Sequence, residues 1–255
     1  MHIRFDGKVA IVTGAAHGLG RAIALEFSEL GAQVIGCDIL GDELHETGRL
    51  AVAKGTRFMA HALDVTDRDS VLAMAREALA GYGRIDILVN DAGGVLGQVG
   101  RPLEDVSEAD WRAIVAANLD GKFHCSQAVA PVMKAARQGR IVNISSRAGL
   151  DVSLTGIQAY AAAKAGLIGL TRQLAHELGP WGITVNCIAP GFVRSNPTTE
   201  RQWESYGEEG QRRLVEGIAL RRLGLPADIV NGVLFFASEH AGWTTGQTLA
   251  IDGGR

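Results

Sequence analysis

The chain is poor in cysteine, with three among 255 residues, at Cys37, Cys125 and Cys187. An odd number, wide spacing and no C-x-x-C predict neither a disulfide framework nor a zinc site, and point to a reducing compartment. Prolines number six and aromatic residues make up 5%. No apolar run approaches the ~20 residues needed to span a bilayer. The opening MHIRFDGKVA holds no signal-peptide stretch, so the expected location is cytoplasmic, with no membrane partner. Charge of either sign is not in excess: 25 basic residues face 28 acidic ones, a net charge of -3. Scattered Lys and Arg argue against a nucleic-acid surface, which needs a basic face. What is plentiful is glycine, 33 residues, well above the roughly 7% of an average chain. There is no Gly-X-Y period, so neither collagen nor low-complexity disorder accounts for the excess. The glycines must serve turns, or places where backbone approaches backbone or ligand.

Short apolar runs rich in β-branched residues alternate with longer helical patterns. Strands are predicted at Val9–Thr13, 33–37, 57–63, 85–90, 141–145, 183–189 and Thr248–Ile251. Runs such as VAIVT and IDILVN lack polar alternation, as parallel strands covered on both faces do. Ile23, Phe27 and Leu30 form a helical stripe after the first strand, and Val71, Met74, Ala75 and Leu79 form another after the third. Gly31, Gly55, Gly81 and Gly179 are read as helix stops. The alternation predicts an α/β, doubly wound, Rossmann-like fold: a seven-stranded parallel sheet with helices on both faces. No linker or internal repeat interrupts the chain, so residues 1–255 are expected to form one domain. The polar stretch 194–222, with Trp203 and Tyr206, breaks the rhythm and is read as a substrate lid.

Directly after the first strand comes TGAAHGLG, residues 13–20, followed by the helical RAIALEF. Glycines at 14, 18 and 20 leave room for a dinucleotide pyrophosphate at a helix N-terminus, where amides and dipole favour anions. The spacing is G-x-x-x-G-x-G rather than the commoner G-x-G-x-x-G. Asp38, at the end of the second strand, stands where an acidic residue binds the ribose 2′-hydroxyl of NAD and repels the extra phosphate of NADP. No arginine lies at 15–19 or 37–41 to pair with that phosphate. NAD is therefore the expected cofactor, preferred over NADP.

The ordered motifs TGAAHGLG, Asp64-Val65, NDAG at 90–93, Asn118, Ser146, Tyr160 with Lys164, and Pro190-Gly191 resemble the short-chain dehydrogenase/reductase family, in its single-domain form of about 250 residues. The resemblance spans essentially the whole chain. It implies NAD(P)-dependent oxidoreduction, with Gly14, His17, Gly18, Leu19 and Gly20 around the cofactor phosphates. It implies that Asp64 contacts the adenine amino group, with Val65 against the ring, and that Asn90, Ala92 and Gly93 line the cofactor. It places Pro190, Gly191 and Val193 at the nicotinamide end, with Ser195, usually threonine in the family, near the phosphate. Asp91 departs from the family, which usually has a second asparagine there.

Tyr160 and Lys164 are four apart in QAYAAAKAGLIGLTRQLAHEL, a spacing that sets both on one helix face. A nearby ammonium favours the phenolate, so Tyr160 is the expected acid/base, and Lys164 is also expected to orient the nicotinamide ribose. Ser146 is expected to hold the substrate oxygen, with Ser145 as the competing choice. Asn118 resembles the family asparagine that completes a proton relay through a water. The chemistry requires no metal, and the histidines show no H-x-x-x-H.

Segments 94–102, 147–158 and 194–222 are expected to select the substrate. Arg101 or Arg147 could grip a carboxylate, or be purely structural. The polar lid favours a small polar alcohol or ketone: a sugar, polyol or hydroxy acid. The alternatives are a 3-oxoacyl thioester reductase and a nucleotide-sensing regulator without turnover. The apolar helix holding Leu167, Ile168, Leu170, Leu174 and Leu178 is the expected interface of a homodimer or homotetramer.

Overall fold

Parallel pairing follows from the apolar runs. Strands buried on both faces need helices above and below, and right-handed crossovers supply them. The computed structural model describes residues 3–255. In chain order the elements are β1 (Val9–Thr13), α1 (Gly18–Glu29), β2 (Gln33–Asp38), α2 (Gly41–Val52), β3 (Phe58–Ala62), α3 (Arg68–Tyr82) and β4 (Ile87–Asn90). There follow α4 (Glu108–Val115), α5 (Gly121–Ala136), β5 (Gly139–Ile144), α6 (Gln158–Leu178) and β6 (Ile183–Pro190). Then come α7 (Pro197–Ser205), α8 (Gly207–Glu216), α9 (Pro226–Ala237) and β7 (Thr248–Ile251). A π-helical turn, Ala116–Asp120, joins α4 to α5.

The strands form one seven-stranded parallel sheet in the order β3-β2-β1-β4-β5-β6-β7. Chain direction across the sheet reverses between β1 and β4, the switch point where such sheets open a crevice at their carboxyl ends. Ile23, Ala24 and Phe27 of α1 pack with Ile229 and Val233 of α9 on one face. Val71 and Met74 of α3, Val129 and Met133 of α5 and Leu178 of α6 fill the other.

Some boundaries differ from expectation. The third helix continues through Gly81 to Tyr82, and Gly83, at φ 73°, is the left-handed stop. Ala78 rather than Leu79 completes its buried stripe, and Leu79 is exposed. The fifth strand begins at Gly139 and ends at Ile144. Leu167, Ile168 and Leu178 of α6 are buried in the chain's own core, so they form no free interface. All three cysteines are free and buried, and burial pushes the Cys125 thiol up to about 12. No helix among the described residues is long and apolar enough to cross a membrane, and no cluster of metal-ligating side chains occurs there.

Candidate active site

The carboxyl ends of β1, β2, β4, β5 and β6 open into a cavity of about 630 Å³, within the usual range for small-ligand sites. Gly14, His17, Gly18 and Leu19 line it from the first βα turn. His17 caps α1 in extended conformation but gives no side-chain hydrogen bond, and the first turn holds no acidic residue. Apart from the Gly20 amide, which meets Asp91, the first-turn amides can receive an anion. His17 instead pairs its Nδ1 with Glu43 Oε2 at 3.1 Å.

Two of the glycines answer to the chain itself. A Cβ on Gly14 would lie 2.8 Å from the Ala92 nitrogen, and one on Gly20 would run into the Gly14 carbonyl. Gly20 does not line the cavity; it lets α1 close onto the turn. Gly18, at φ 62°, faces the cavity.

Asp38 stands at the cavity edge, its Oδ2 accepting from the Ala16 amide at 3.0 Å and its Oδ1 from the Leu40 amide at 3.0 Å. Asp64 and Val65 line the cavity after β3, and Asp64 Oδ1 accepts from the Thr66 amide. Ala92, Gly93, Pro190, Gly191, Val193 and Ser195 also line it. Asn90 does not. Its fully buried amide donates to Ser126 Oγ and Asn143 Oδ1, because the residue ends a central strand and its side chain is turned into the sheet.

Ser145, Ser146, Tyr160 and Lys164 meet at one wall. Lys164 is buried, donates to the Ile144 carbonyl at 3.0 Å and holds its Nζ 5.4 Å from the Tyr160 ring centroid. The buried Ser145 hydroxyl is spent on the Lys164 carbonyl, whereas Ser146 Oγ only accepts from the Ala148 amide. Asn118 commits its side chain to backbone. Oδ1 accepts from the Gly94 amide, while Nδ2 donates to the Gly94 and Ile114 carbonyls. Its amide therefore fixes the turn after β4.

Arg147 lines the cavity but is paired with Asp252 at 2.8 Å and Asp151 at 3.1 Å, and Arg101 is paired with Asp110. The segment 194–222 folds as α7 and α8, closed at its base by a bridge between Val193 and Gly224. Its charges face outward in pairs such as Arg194–Glu200 and Arg213–Glu209, and Gln202 and Thr199 face the cavity. Sequence reasoning did not single out Ile39, Phe192, Thr199 or Gln202, which lack any motif, nor Asp91 as a charged floor residue. All five line the cavity.

An open helix N-terminus, a tethered carboxylate at one end and a Tyr–Lys pair at the other fit a nicotinamide dinucleotide. The donor set offers both anion-binding amides and a ribose partner.

The family model described as enoyl-(acyl carrier protein) reductase, one of the short-chain dehydrogenase/reductase models, matches residues 14–255. The chain is 42% identical over 250 residues to the BbsD subunit of (2S)-[(R)-hydroxy(phenyl)methyl]succinyl-CoA dehydrogenase from Thauera aromatica, covering 98% of this chain and 97% of that one. It is 40% identical to the 3-oxoacyl-[acyl-carrier-protein] reductase FabG of Thermotoga maritima, covering 99% of both. Its fold matches that of an NAD+-bound xylitol dehydrogenase with a TM-score of 0.92 and 30% identity, covering 98% of this chain and 99% of that one. With the fold, the motif order and the Tyr160–Lys164 wall all in agreement, the chain belongs to the short-chain dehydrogenase/reductase family of oxidoreductases.

Proposed function

We propose that the protein is a NAD(H)-dependent dehydrogenase that interconverts a secondary alcohol and a ketone carried on an acyl thioester. One observation carries the substrate class: beyond Ser146 and Lys164, the side chains around Tyr160 are apolar. Its ring packs with Val95 against Ile114 and Ile157, and Leu96, Val152, Leu154 and Phe192 line the cavity beyond. A polyol would find few partners there, whereas an acyl chain loses only water. The relatives of about 40% identity named for acyl-CoA and acyl-carrier-protein substrates support the same reading. The polarity of 194–222 says less about the substrate than the sequence implied, because its ion pairs face solvent. We read this segment as a lid hinged at the Val193–Gly224 bridge. A small polar substrate is the second reading, supported by Ser153, Thr155 and Gln202 in the lining.

In the oxidative direction Tyr160 takes the substrate hydroxyl proton, and Ser146 holds the oxygen that becomes the carbonyl. Lys164 stands beside Tyr160, its Nζ 5.4 Å from the Tyr160 ring centroid. The nicotinamide supplies hydride acceptance when bound. Asp38 reads the ribose at the other end and selects NAD. The Asn118 side chain shapes the turn at Gly94, beside the proton relay proposed for this residue. We also read the protein as a cytoplasmic homo-oligomer: Trp243 is 101% exposed and Leu249 on the edge strand β7 is exposed too, both apolar surface that a second copy would cover.

The experiment is NAD+ reduction over a panel of 3-hydroxyacyl-CoA esters, polyols and hydroxy acids, with NADP+ in parallel. The expected result is the highest kcat/KM on a thioester with NAD+. A polyol as best substrate would move the reading to the second one, and no turnover on any substrate would favour the nucleotide-sensing regulator.

A further inference from the structure

Lys122, in the first turn of α5, is 2% exposed. A buried ammonium needs partners. It donates to the Ala92 carbonyl and lies 3.2 Å from the point a Cβ on Gly93 would occupy, so it stands directly beneath the turn that floors the cavity. On the other side of that turn is Asp91. Its Oδ2 is 3.0 Å from the point a Cβ on Gly20 would occupy, and the Gly20 amide favours its charged form. An anion thus sits against the helix N-terminus that the cofactor pyrophosphate needs. A carboxylate there competes for the same amides and repels the phosphates.

We propose that Lys122 is a positioning residue for the cofactor: its buried ammonium offsets the Asp91 carboxylate, so that a dinucleotide pyrophosphate meets a floor without net negative charge. The inference rests on the reading of this cavity as a nicotinamide dinucleotide site. The charged and titratable groups whose fields reach Lys122 are Asp91, Lys164 and the thiols of Cys125 and Cys187, and those that reach Asp91 are Lys122, Lys164 and Asp38. Lys164 serves Tyr160 and the Ile144 carbonyl, which leaves Lys122 as the cation given over to the floor. Burial raises the Asp91 carboxyl to about 6 and lowers the Lys122 ammonium to about 7. The pair is therefore responsive near neutrality, and a change in one member moves the other.

The test is a double-variant cycle on NADH affinity, read from nucleotide fluorescence rather than turnover, with thermal unfolding confirming that each variant is folded. Lys122→Met should weaken NADH binding about tenfold or more between pH 6 and 7, where the parent protein carries both charges, and acidification that protonates Asp91 should recover it. Asp91→Asn should bind at least as tightly as the parent protein. Asp91→Asn with Lys122→Met together should restore the parent affinity and remove its pH dependence. If Lys122→Met does not fold, the double variant still decides, since the proposal requires it to bind like the parent. A double variant as weak as Lys122→Met, or a Lys122→Met indistinguishable from the parent, overturns the proposal while the cofactor reading stands. A parent protein that binds neither NADH nor NADPH overturns both.

Discussion

The Ser145 hydroxyl donates to the Lys164 carbonyl at 2.8 Å, and the Lys164 ammonium donates back to the Ile144 carbonyl at 3.0 Å. The end of β5 and the catalytic helix α6 are thereby stitched together at the residue that supports Tyr160. Ser145 is structural in this arrangement, and in the proposed function Ser146 is the hydroxyl for substrate. Ser146→Ala should lower kcat by about 10²-fold or more with little change in stability. Ser145→Ala should cost about 1 kcal/mol of stability and retain most activity. Parallel kinetics and urea unfolding of the two variants check the assignment, and reversed effects would exchange the roles.

Asp38 does two jobs that substitution can separate. Its Oδ2 holds the Ala16 amide, and in the proposed function its charge repels a 2′-phosphate. Asp38→Asn keeps an acceptor for Ala16 and loses the charge, so NADP+ should be tolerated at least about tenfold better relative to NAD+. Asp38→Ala should shift the ratio similarly and also loosen the phosphate turn. The ratio of kcat/KM for the two nucleotides reads both, and an unchanged ratio means that Asp38 does not select the cofactor.

Gly20 is needed for packing, whatever it does for the ligand. A Cβ there would meet the Gly14 carbonyl and come within 3.0 Å of Asp91 Oδ2. Gly20→Ala should therefore destabilise the apo-protein by about 1–3 kcal/mol. Chemical denaturation without nucleotide measures this directly, and a stability loss seen only in the presence of NADH would argue for a ligand role instead.

The Asp91 and Lys122 shifts predict a dip in apo-protein stability between pH 6 and 7. The Asp91 carboxyl, at about 6 against its ordinary 3.8, keeps a proton in the folded chain that the unfolded chain has lost, so stability falls as pH rises across that range. The Lys122 ammonium, at about 7 against 10.5, loses its proton earlier when folded, so stability rises with pH above 7. Thermal unfolding across this range should show the dip in the parent protein and not in the Asp91→Asn, Lys122→Met double variant. Parallel Tm profiles for the two proteins would contradict it.

The strands were legible because β1, β4 and β6 are buried along their whole length and read as unbroken apolar runs. Helix ends were less so: Gly81 and Gly83 are equal candidates by composition, and only the left-handed φ of Gly83 distinguishes them. The catalytic wall was legible because Tyr160 and Lys164 share one helix, and their i, i+4 spacing fixes their relation. The Asn90 side chain was less legible: at a strand end it can point to the cavity or, as here, to Asn143 on the next strand and Ser126 on α5. Lys122 gave no signal at all. A lysine between Gly121 and Phe123 reads as a solvated helix position, and only the tertiary fold brings it under Ala92. The polarity of 194–222 says little about the substrate, because its charges satisfy one another outside the cavity.

The most direct test of the account is the pair of measurements on Tyr160→Phe: turnover with NAD+ and a 3-hydroxyacyl-CoA, and NADH affinity without substrate. Removing the phenol deletes the proton acceptor and little else, since the ring still packs with Val95, Ile114 and Ile157. The predicted result is a loss of turnover of about 10²-fold to 10⁴-fold with NADH affinity close to that of the parent protein. Turnover near the parent level in this variant would contradict Tyr160 as the acid/base.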